Sequence, residues 1–228
     1  MIGPRIASQF GVDLIFYGEN QAEYGNKIDE NYKTEMDKKF FTYENLDELL
    51  FGGKKITEII NDTDFTLNDF HCYLPLDGNK FKDLKLNYQY LGYYLKWDPQ
   101  ECFYYASKHT GFKPNTERTE GSYSKYSSID DKIDNFHYYT LLIKFGIGRA
   151  TSDAAQEIRN NKITREEGIA LVKKFDHEFP KKYFKHFLEY IDISETEFFK
   201  TIDKFRSPHL WIKEKDKWLL KKRIWEKN

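Results

Sequence analysis

The hydrophobic positions of this chain follow two different patterns. Residues 12–17 and 88–96 are runs of apolar and aromatic residues. Runs of this length and composition, bounded by turn residues, are typical of buried strands in α/β sheets. Pro4 at a helix start, followed by Ile6, Ala7 and Phe10, predicts a short helix closed by Gly11. This helix leads into the first run, and the arrangement predicts further sheet neighbours before residue 1. From residue 100 onward the apolar positions recur mostly at helical spacing.

Capping residues predict where the helices of the second part begin. Asp98 and Pro99 suit the N-cap and the first turn of a helix, and Thr164 with Glu167 forms a capping box. The predicted helices cover residues 100–109, 128–145, 151–160, 165–175, 181–191 and 195–205. We therefore predict an α/β fold class. Residues 1–99 hold part of a sheet with an irregular insertion, and residues 100–228 form a helical region with a basic C-terminal tail that docks on it.

Composition excludes several classes of partner. The chain has 36 Lys and Arg against 37 Asp and Glu, a formal net charge of -1, so no global field favours nucleic acid. No apolar run approaches the roughly 20 residues that a membrane span needs. Cys72 and Cys102 have neither metal-ligand spacing nor the pattern of a disulfide framework, which indicates a reduced, cytoplasmic protein.

Residues 118–165 are unusually rich in polar groups beside glycines, which predicts the wall of a site for a charged, oxygen-rich ligand. Asp130, Asp134 and His137 lie at i, i+4 and i+7, on one side of the predicted helix. Such a set can hold Mg²⁺, orient a substrate or move a proton. The alternative is helix capping, because the helix dipole favours negative charge in the first turn. We favour capping for Asp131.

Arginines and strand ends supply further candidates. Arg149 precedes the predicted helix start at Thr151, and a helix N-terminus beside an arginine is suited to an anion. Arg118 and Glu120 are candidates for recognising phosphate or carboxylate groups. Glu19 and Asn20 directly follow the first predicted strand, where open α/β sheets bind ligands; the alternative is an ordinary turn.

Several long strings carry a resemblance to a known family. They read FYGENQAEYG, LGYYLKWDPQ, RTEGSYSKYSSIDDKIDNFHYYTLLIKFGIGRATSDAAQEIR, ITREEGIALVKKFDHEFP and FRSPHLW. Over residues 2–211 the chain resembles the N-acetyl sugar amidotransferase family of PP-loop ATPases, which acts in O-antigen and related surface-sugar biosynthesis. The resemblance implies a partial Rossmann-like sheet of the adenine nucleotide alpha hydrolase type, followed by the helical region.

The resemblance also implies a reaction and its reagents. ATP with Mg²⁺ would adenylate the acetamido oxygen of a nucleotide-linked N-acetyl sugar, and ammonia would then displace AMP to leave an acetamidino group. The implied partners are a glutaminase subunit and a synthase-like subunit that channels ammonia. Asp134, His137 and Arg149 would be catalytic, with Asp130 or Asp134 available to Mg²⁺. The substrate-binding set would be Glu19, Asn20, Arg118, Glu120, Tyr123 and Asp130.

The chain departs from the family pattern in one respect. PP-loop enzymes carry an SGGxDS phosphate loop after their first strand, and this motif does not occur in the sequence. The chain therefore resembles the C-terminal portion of such an enzyme. The alternative is a catalytically silent module that binds a sugar nucleotide or a partner through its Tyr- and Phe-rich helices.

Overall fold

The computed structural model describes residues 2–18, 29, 32–79, 81 and 85–226. The chain divides into two compact units, Met1–Trp97 and Asp98–Asn228. Together they form a mixed α/β protein whose described sheets are small and two-stranded. The predicted mixture of strands and helices is confirmed, and the Rossmann-like PP-loop topology stays a prediction.

The first unit contains short elements with long connections. In chain order they are α1 (Ile2–Phe10), β1 (Leu14–Tyr17), β2 (Thr42–Tyr43), β3 (Leu50–Phe51), β4 (Lys54–Lys55), α2 (Ile56–Asp62), β5 (Leu76–Asp77), β6 (Asn87–Tyr90) and α3 (Leu91–Tyr94). β1 pairs with β6 and β2 with β5 in parallel, whereas β3 and β4 form an antiparallel pair. Two short 3₁₀ helices, Lys38–Phe40 and Leu46–Glu48, lie between these strands.

The two predicted strands exist, but both are shorter than the sequence indicates. β1 was expected to be buried, and this is wrong, because Leu14 and Phe16 are 48% and 51% exposed. Ile15 and Tyr17 pack against the hydrophobic cluster of the unit, and among the described residues this cluster covers one face of β1. The second run leaves the sheet after Tyr90 and turns into α3.

The second unit is mostly helical. Its elements are α4 (Pro99–His109), α5 (Asp134–Phe145), α6 (Arg149–Arg159), α7 (Arg165–Phe175), α8 (Phe184–Ile191), α9 (Glu195–Lys204), β7 (Trp211–Glu214) and β8 (Lys217–Leu220). The predicted cap of α4 is confirmed, because the Asp98 carboxylate accepts a hydrogen bond from the Glu101 N–H at 3.2 Å. The capping box of Thr164 and Glu167 opens α7 as predicted.

Aromatic residues form the core of this unit. Phe136 on α5 is buried and stacks on Phe187 of α8, with ring centres 4.1 Å apart and planes inclined by 3°. Phe179 and Phe184 pack edge-to-face beside this pair. The second layer of the core joins α5 to α9 through Ile143 and the buried residues of its cluster, which are Leu142, Phe198, Ile202, Trp211 and Leu220.

The C-terminal tail docks on the helices, as predicted, and does so as a β-hairpin. β7 and β8 pair antiparallel, with Trp211 opposite Leu220. The Trp211 indole N–H donates to the carbonyl oxygen of Ile143 at 2.8 Å. The turn residues Lys215 and Asp216 have φ values of 45° and 63°. The sequence gives no hairpin signal there because this turn favours Asn-Gly or Asp-Gly rather than Lys-Asp.

Within the described residues, no helix has the length and apolar character required to cross a bilayer.

Replacing Phe136 by alanine tests the aromatic core. The change removes a buried ring and leaves a cavity, so the free energy of unfolding should fall by about 3–5 kcal/mol. Tyr190→Ala on α8 is the matched control, because Tyr190 is 71% exposed and the change should stay within about 0.5 kcal/mol. Urea unfolding followed by circular dichroism measures both. Equal losses for the two variants would contradict this description of the core.

Candidate functional site

Arg118 is held by Glu178. Both of its terminal nitrogens donate to the Glu178 carboxylate at 2.6 Å, and one also donates to the Ser122 carbonyl oxygen at 3.0 Å. The guanidinium carbon lies 4.7 Å from the centre of the Phe175 ring. The Gly121 N–H donates to the same carboxylate at 2.8 Å. Arg118 therefore fixes the loop that begins at residue 118 onto the segment after α7.

Glu120 acts as a cap within the protein. Its two carboxylate oxygens accept hydrogen bonds from the backbone N–H groups of Lys181 and Lys182 at 3.0 and 3.1 Å. These N–H groups precede α8 and would otherwise lack a partner close in sequence. The carboxylate predicted to bind substrate is thus occupied by the backbone.

The N-terminus of α6 holds an anion, but the anion belongs to the chain itself. The buried Asp176 carboxylate accepts hydrogen bonds from the Gly148 N–H at 3.1 Å, the Thr151 N–H at 2.8 Å and the Thr151 hydroxyl at 2.9 Å. The prediction that Thr151 caps this helix is wrong. α6 begins two residues earlier, because Asp176 supplies the acceptor that an N-cap side chain normally provides.

Close approach of Asp176 requires a glycine at position 148. A Cβ atom there would lie 2.6 Å from Asp176 Oδ1 and 2.8 Å from its Cγ. Any larger residue would push the carboxylate away from the helix N-terminus. Gly148, which directly precedes Arg149, is thus needed for an anion that belongs to the protein itself.

Arg149 links three elements of the structure. Its Nε donates to Asp153 Oδ1 at 3.0 Å, and one terminal nitrogen donates to Ser128 Oγ at 2.9 Å and lies 3.4 Å from Asp134 Oδ2. Its guanidinium carbon also lies 4.2 Å from the centre of the Tyr138 ring. The Arg149 side chain is only 13% exposed. We call Ser122, Ser128, Asp134, Arg149 and Asp153 the Arg149 network.

The N-terminus of α5 differs from the prediction. A helix start at Ser128 and Asp131 was expected, and this is wrong. Ser128 has a φ of 55°, and its hydroxyl donates to Asp134 instead of capping the chain at residue 131. Asp131 accepts from the Ile133 N–H at 2.6 Å, and α5 begins at Asp134. Asp130 therefore precedes the helix, in an exposed position, and does not share a helical face with Asp134.

The hydroxyl groups of the loop are used to fold it. The fully buried Ser122 donates to Asp153, which also accepts from Arg149. The Tyr123 hydroxyl donates to Glu157 at 3.0 Å, one helical turn further along α6. Ser124 and Ser127 bond to each other at 3.1 Å. Much of the polarity that predicts a ligand-binding wall is thus satisfied inside the protein.

Burial shifts the acid–base properties of this loop. Burial and the neighbouring Glu157 carboxylate raise the pKa of Tyr123 far above its usual value. Burial raises the pKa of Tyr126 to about 12. Burial also raises the pKa of Glu157, although the hydrogen bond from Tyr123 acts against this. Both tyrosines therefore remain neutral hydrogen-bond donors at neutral pH.

The remaining predicted residues lie elsewhere. His137 is on an exposed part of α5, where it lines an apolar groove with Leu141 and Lys144, apart from the Arg149 network. Glu19 and Asn20 fall outside the described residues. Among the described residues, no group of three or more His, Cys, Asp or Glu side chains is arranged to hold a metal ion.

The structure thus brings together five of the predicted residues, Arg118, Glu120, Tyr123, Asp134 and Arg149, in one polar region of the second unit. Sequence reasoning missed four carboxylates of this region. Asp153, Glu157 and Glu178 hold Arg149, Tyr123 and Arg118, respectively. Asp176 anchors the N-terminus of α6. Two of these, Asp176 and Glu178, stand in FDHEFP, the end of one of the strings that carry the family resemblance.

Residues 120–224 match the family model of the LPS biosynthesis protein WbpG-like, C-terminal domain. This part of the chain is similar to that family. No curated protein is similar enough to the chain to count as a match.

The match confirms the predicted relationship to the C-terminal portion of an amidotransferase family linked to lipopolysaccharide. The WbpG-like domain indicates a biosynthetic enzyme of lipopolysaccharide, and it contains the whole Arg149 network together with Asp176 and Glu178.

Asp176→Asn tests the anchor of α6. The amide keeps one acceptor but places an NH₂ group against the donors of Gly148 or Thr151, and the loss of a charged acceptor should lower the free energy of unfolding by about 1.5–3 kcal/mol. Glu166→Gln in the exposed first turn of α7 is the control and should change stability by less than about 0.5 kcal/mol. Denaturant unfolding measures both. If Asp176→Asn behaved like the control, the anchor would not contribute.

The Arg118–Glu178 pair predicts sensitivity to acid. The hydrogen bonds from Arg118 hold the pKa of Glu178 below its ordinary value of 4.5, against the opposing effect of burial. A depressed carboxyl pKa gives stability that is present above the unfolded value and is lost as pH falls through the folded value. Stability should therefore decline below about pH 4.5, and less steeply in Glu178→Gln than in the wild type.

Unfolding by urea between about pH 7 and about pH 3 measures this difference. Glu189→Gln is the control. Glu189 Oε1 lies 3.9 Å from Lys185 Nζ in an ion pair on the protein surface. Two results would assign the acid sensitivity to other groups. One is that the loss of stability at low pH is as steep in Glu178→Gln as in the wild type. The other is that Glu189→Gln reduces this loss as much as Glu178→Gln does.

Proposed function

We propose that this chain supplies the C-terminal part of an ATP-dependent N-acetyl sugar amidotransferase that makes an acetamidino sugar for lipopolysaccharide. The observation that carries the proposal is the WbpG-like match over residues 120–224. The strings that resemble the N-acetyl sugar amidotransferases lie partly within this range and support the finer assignment. Nucleotide-linked N-acetyl sugars are the proposed substrates.

The proposed reaction exchanges one oxygen for one nitrogen. The acetamido oxygen would form a bond to the α-phosphorus of ATP, and pyrophosphate would leave. Ammonia would then form the new C–N bond, and AMP would leave with the former acetamido oxygen. The ammonia would come from a glutaminase subunit through a synthase-like subunit. Such chemistry needs in-line positioning of the acetamido group and exclusion of water from the activated carbon.

The anion site favoured by the sequence does not fit the phosphates of ATP. The N-terminus of α6 is filled by Asp176, and the Arg149 guanidinium is held by Asp153 and Asp134. A phosphate there would displace a buried carboxylate and its hydrogen bonds, which is costly. ATP and Mg²⁺ therefore enter the proposal only through the family resemblance, and no step is assigned to them at α6.

The residues of the second unit fit a supporting role on the sugar side of the reaction. Arg118, Glu120 and Arg149 fix the polar loop to α6, α7 and α8 through ion pairs and backbone hydrogen bonds. Asp130 precedes α5 beside this loop and is exposed to solvent. We assign Asp130 to a sugar hydroxyl, since a carboxylate is an acceptor for such groups. Asp134 and Arg149 then act as positioning residues.

An assay of the gene product that contains this chain tests the proposal. UDP-N-acetylglucosamine, ATP, Mg²⁺ and ammonium are supplied, and release of AMP is followed with mass analysis of the sugar. We expect AMP release that depends on both ammonium and the sugar. Saturable sugar-nucleotide binding without AMP release would instead support the binding module. Absence of both binding and release with this and other nucleotide-linked N-acetyl sugars would reject both functions.

Asp130→Asn tests the residue assignment in the same assay. Loss of a charged acceptor at a sugar hydroxyl should raise KM for the sugar nucleotide roughly tenfold or more, with KM for ATP unchanged. Asp131→Asn is the matched control, because Asp131 is occupied by the Ile133 N–H. Both variants should unfold like the wild type. Equal effects of the two substitutions on KM would remove Asp130 from the sugar site.

A further inference from the structure

A groove of the second unit takes no part in the Arg149 network. It runs between α5 and α9, beside the turn between α8 and α9, and has a volume of about 450 Å³. Its lining is largely apolar and comprises His137, Thr140, Leu141, Ile143, Lys144, Phe145, Ile191, Ile193, Phe198, Thr201, Ile202 and Phe205. Volumes of roughly 300–1,000 Å³ are typical of sites for small molecules.

The floor and the mouth of the groove differ in character. Ile143, Phe198 and Ile202 form the floor and belong to the buried core, so the concave shape is set by the packing of the unit. Phe145 and Phe205 at the mouth are 54% and 55% exposed. Covering exposed aromatic surface with a ligand makes the free energy of binding more favourable by about 25 cal/mol for each Å² removed from water.

The titratable groups of the lining favour a bound molecule that carries negative charge. Lys144 and His137 are its titratable residues, and the lining contains no carboxylate. The Lys144 ammonium lies 5.3 Å from the centre of the Phe145 ring, at the exposed edge of the groove. The Thr140 hydroxyl donates to the His137 carbonyl oxygen at 2.9 Å, so this group needs no ligand. A bound molecule would thus meet apolar walls and a cation at the edge.

We propose that this groove binds an amphiphilic anion, a molecule with an apolar body of drug-like size and one carboxylate or phosphate group next to Lys144. The apolar body would cover the floor and the two exposed phenylalanines, and the anionic group would pair with the ammonium at the edge. A volume of about 450 Å³ fits a single molecule rather than a bilayer surface. This site is independent of the acetamido chemistry proposed above.

Calorimetric titration with three octyl probes tests this site. Octanoate, octylammonium and octanol share the chain and differ in charge. We expect saturable binding of octanoate in preference to the other two. Lys144→Gln should weaken octanoate binding about fivefold, which is the contribution of one exposed ion pair to affinity. Lys144→Glu reverses the charge and should make the groove prefer octylammonium. Lys185→Gln on α8 is the control, since this lysine is 93% exposed and outside the groove.

A blocking variant locates the binding. Thr201 is an exposed residue of α9, so Thr201→Trp places an indole in the groove without disturbing the core, and it should abolish binding of octanoate. Thermal unfolding verifies that each variant is folded.

Several results would overturn the proposal. If octanol bound as tightly as octanoate, the negative charge of the ligand would not contribute to binding. Octanoate binding that survives Thr201→Trp would place it elsewhere. If none of the three probes binds, the groove does not hold a single amphiphile. This conclusion stands whether or not the protein attaches to phosphatidylglycerol vesicles.

Discussion

The carboxylate of Asp176 at the N-terminus of α6 is the interaction on which the second unit depends. It satisfies backbone donors that a helix start leaves without partners, and it does so in a buried position where water cannot replace it. This arrangement fixes the residue before α6 as glycine. It also sets the rotation of α6, and thereby the direction of Arg149 and Asp153, to which the polar loop and the start of α5 are bonded.

How well the helices could be predicted depends on the distance between capping partners. The starts at Asp98 and Thr164 were predicted because each cap and its N–H partner lie three residues apart. The start of α6 was misplaced because its capping partner is distant in sequence, and the start of α5 was misplaced because its N-cap residue, Ile133, has no side-chain capping bond. Asp176 follows Gly148 by 28 residues. No local sequence pattern predicts such a pair, and the nearby Thr151 has the residue type of an N-cap.

The same limit applies to the candidate site. Charged residues and hydroxyls could be identified as unusual, but their partners could not. Glu178 meets Arg118 across 60 positions, and Glu157 meets Tyr123 across 34. A buried polar group needs a hydrogen-bond partner wherever it lies, so a polar segment in a folded unit has two explanations, a ligand or the protein itself. Here the protein supplies many of the partners, whereas Asp130 and His137 are predicted residues that are exposed to solvent.

The indole of Trp211 has a consequence for the length of the domain. Its N–H reaches the carbonyl oxygen of Ile143, in the last turn of α5, where a helix no longer provides its own donors. The hairpin therefore closes the end of α5 opposite Asp134. A chain cut before residue 211 would leave that helix open at its C-terminal end and would expose Leu142 and Ile143 to water. The basic tail is thus a structural part of the unit rather than an appendage that can be trimmed.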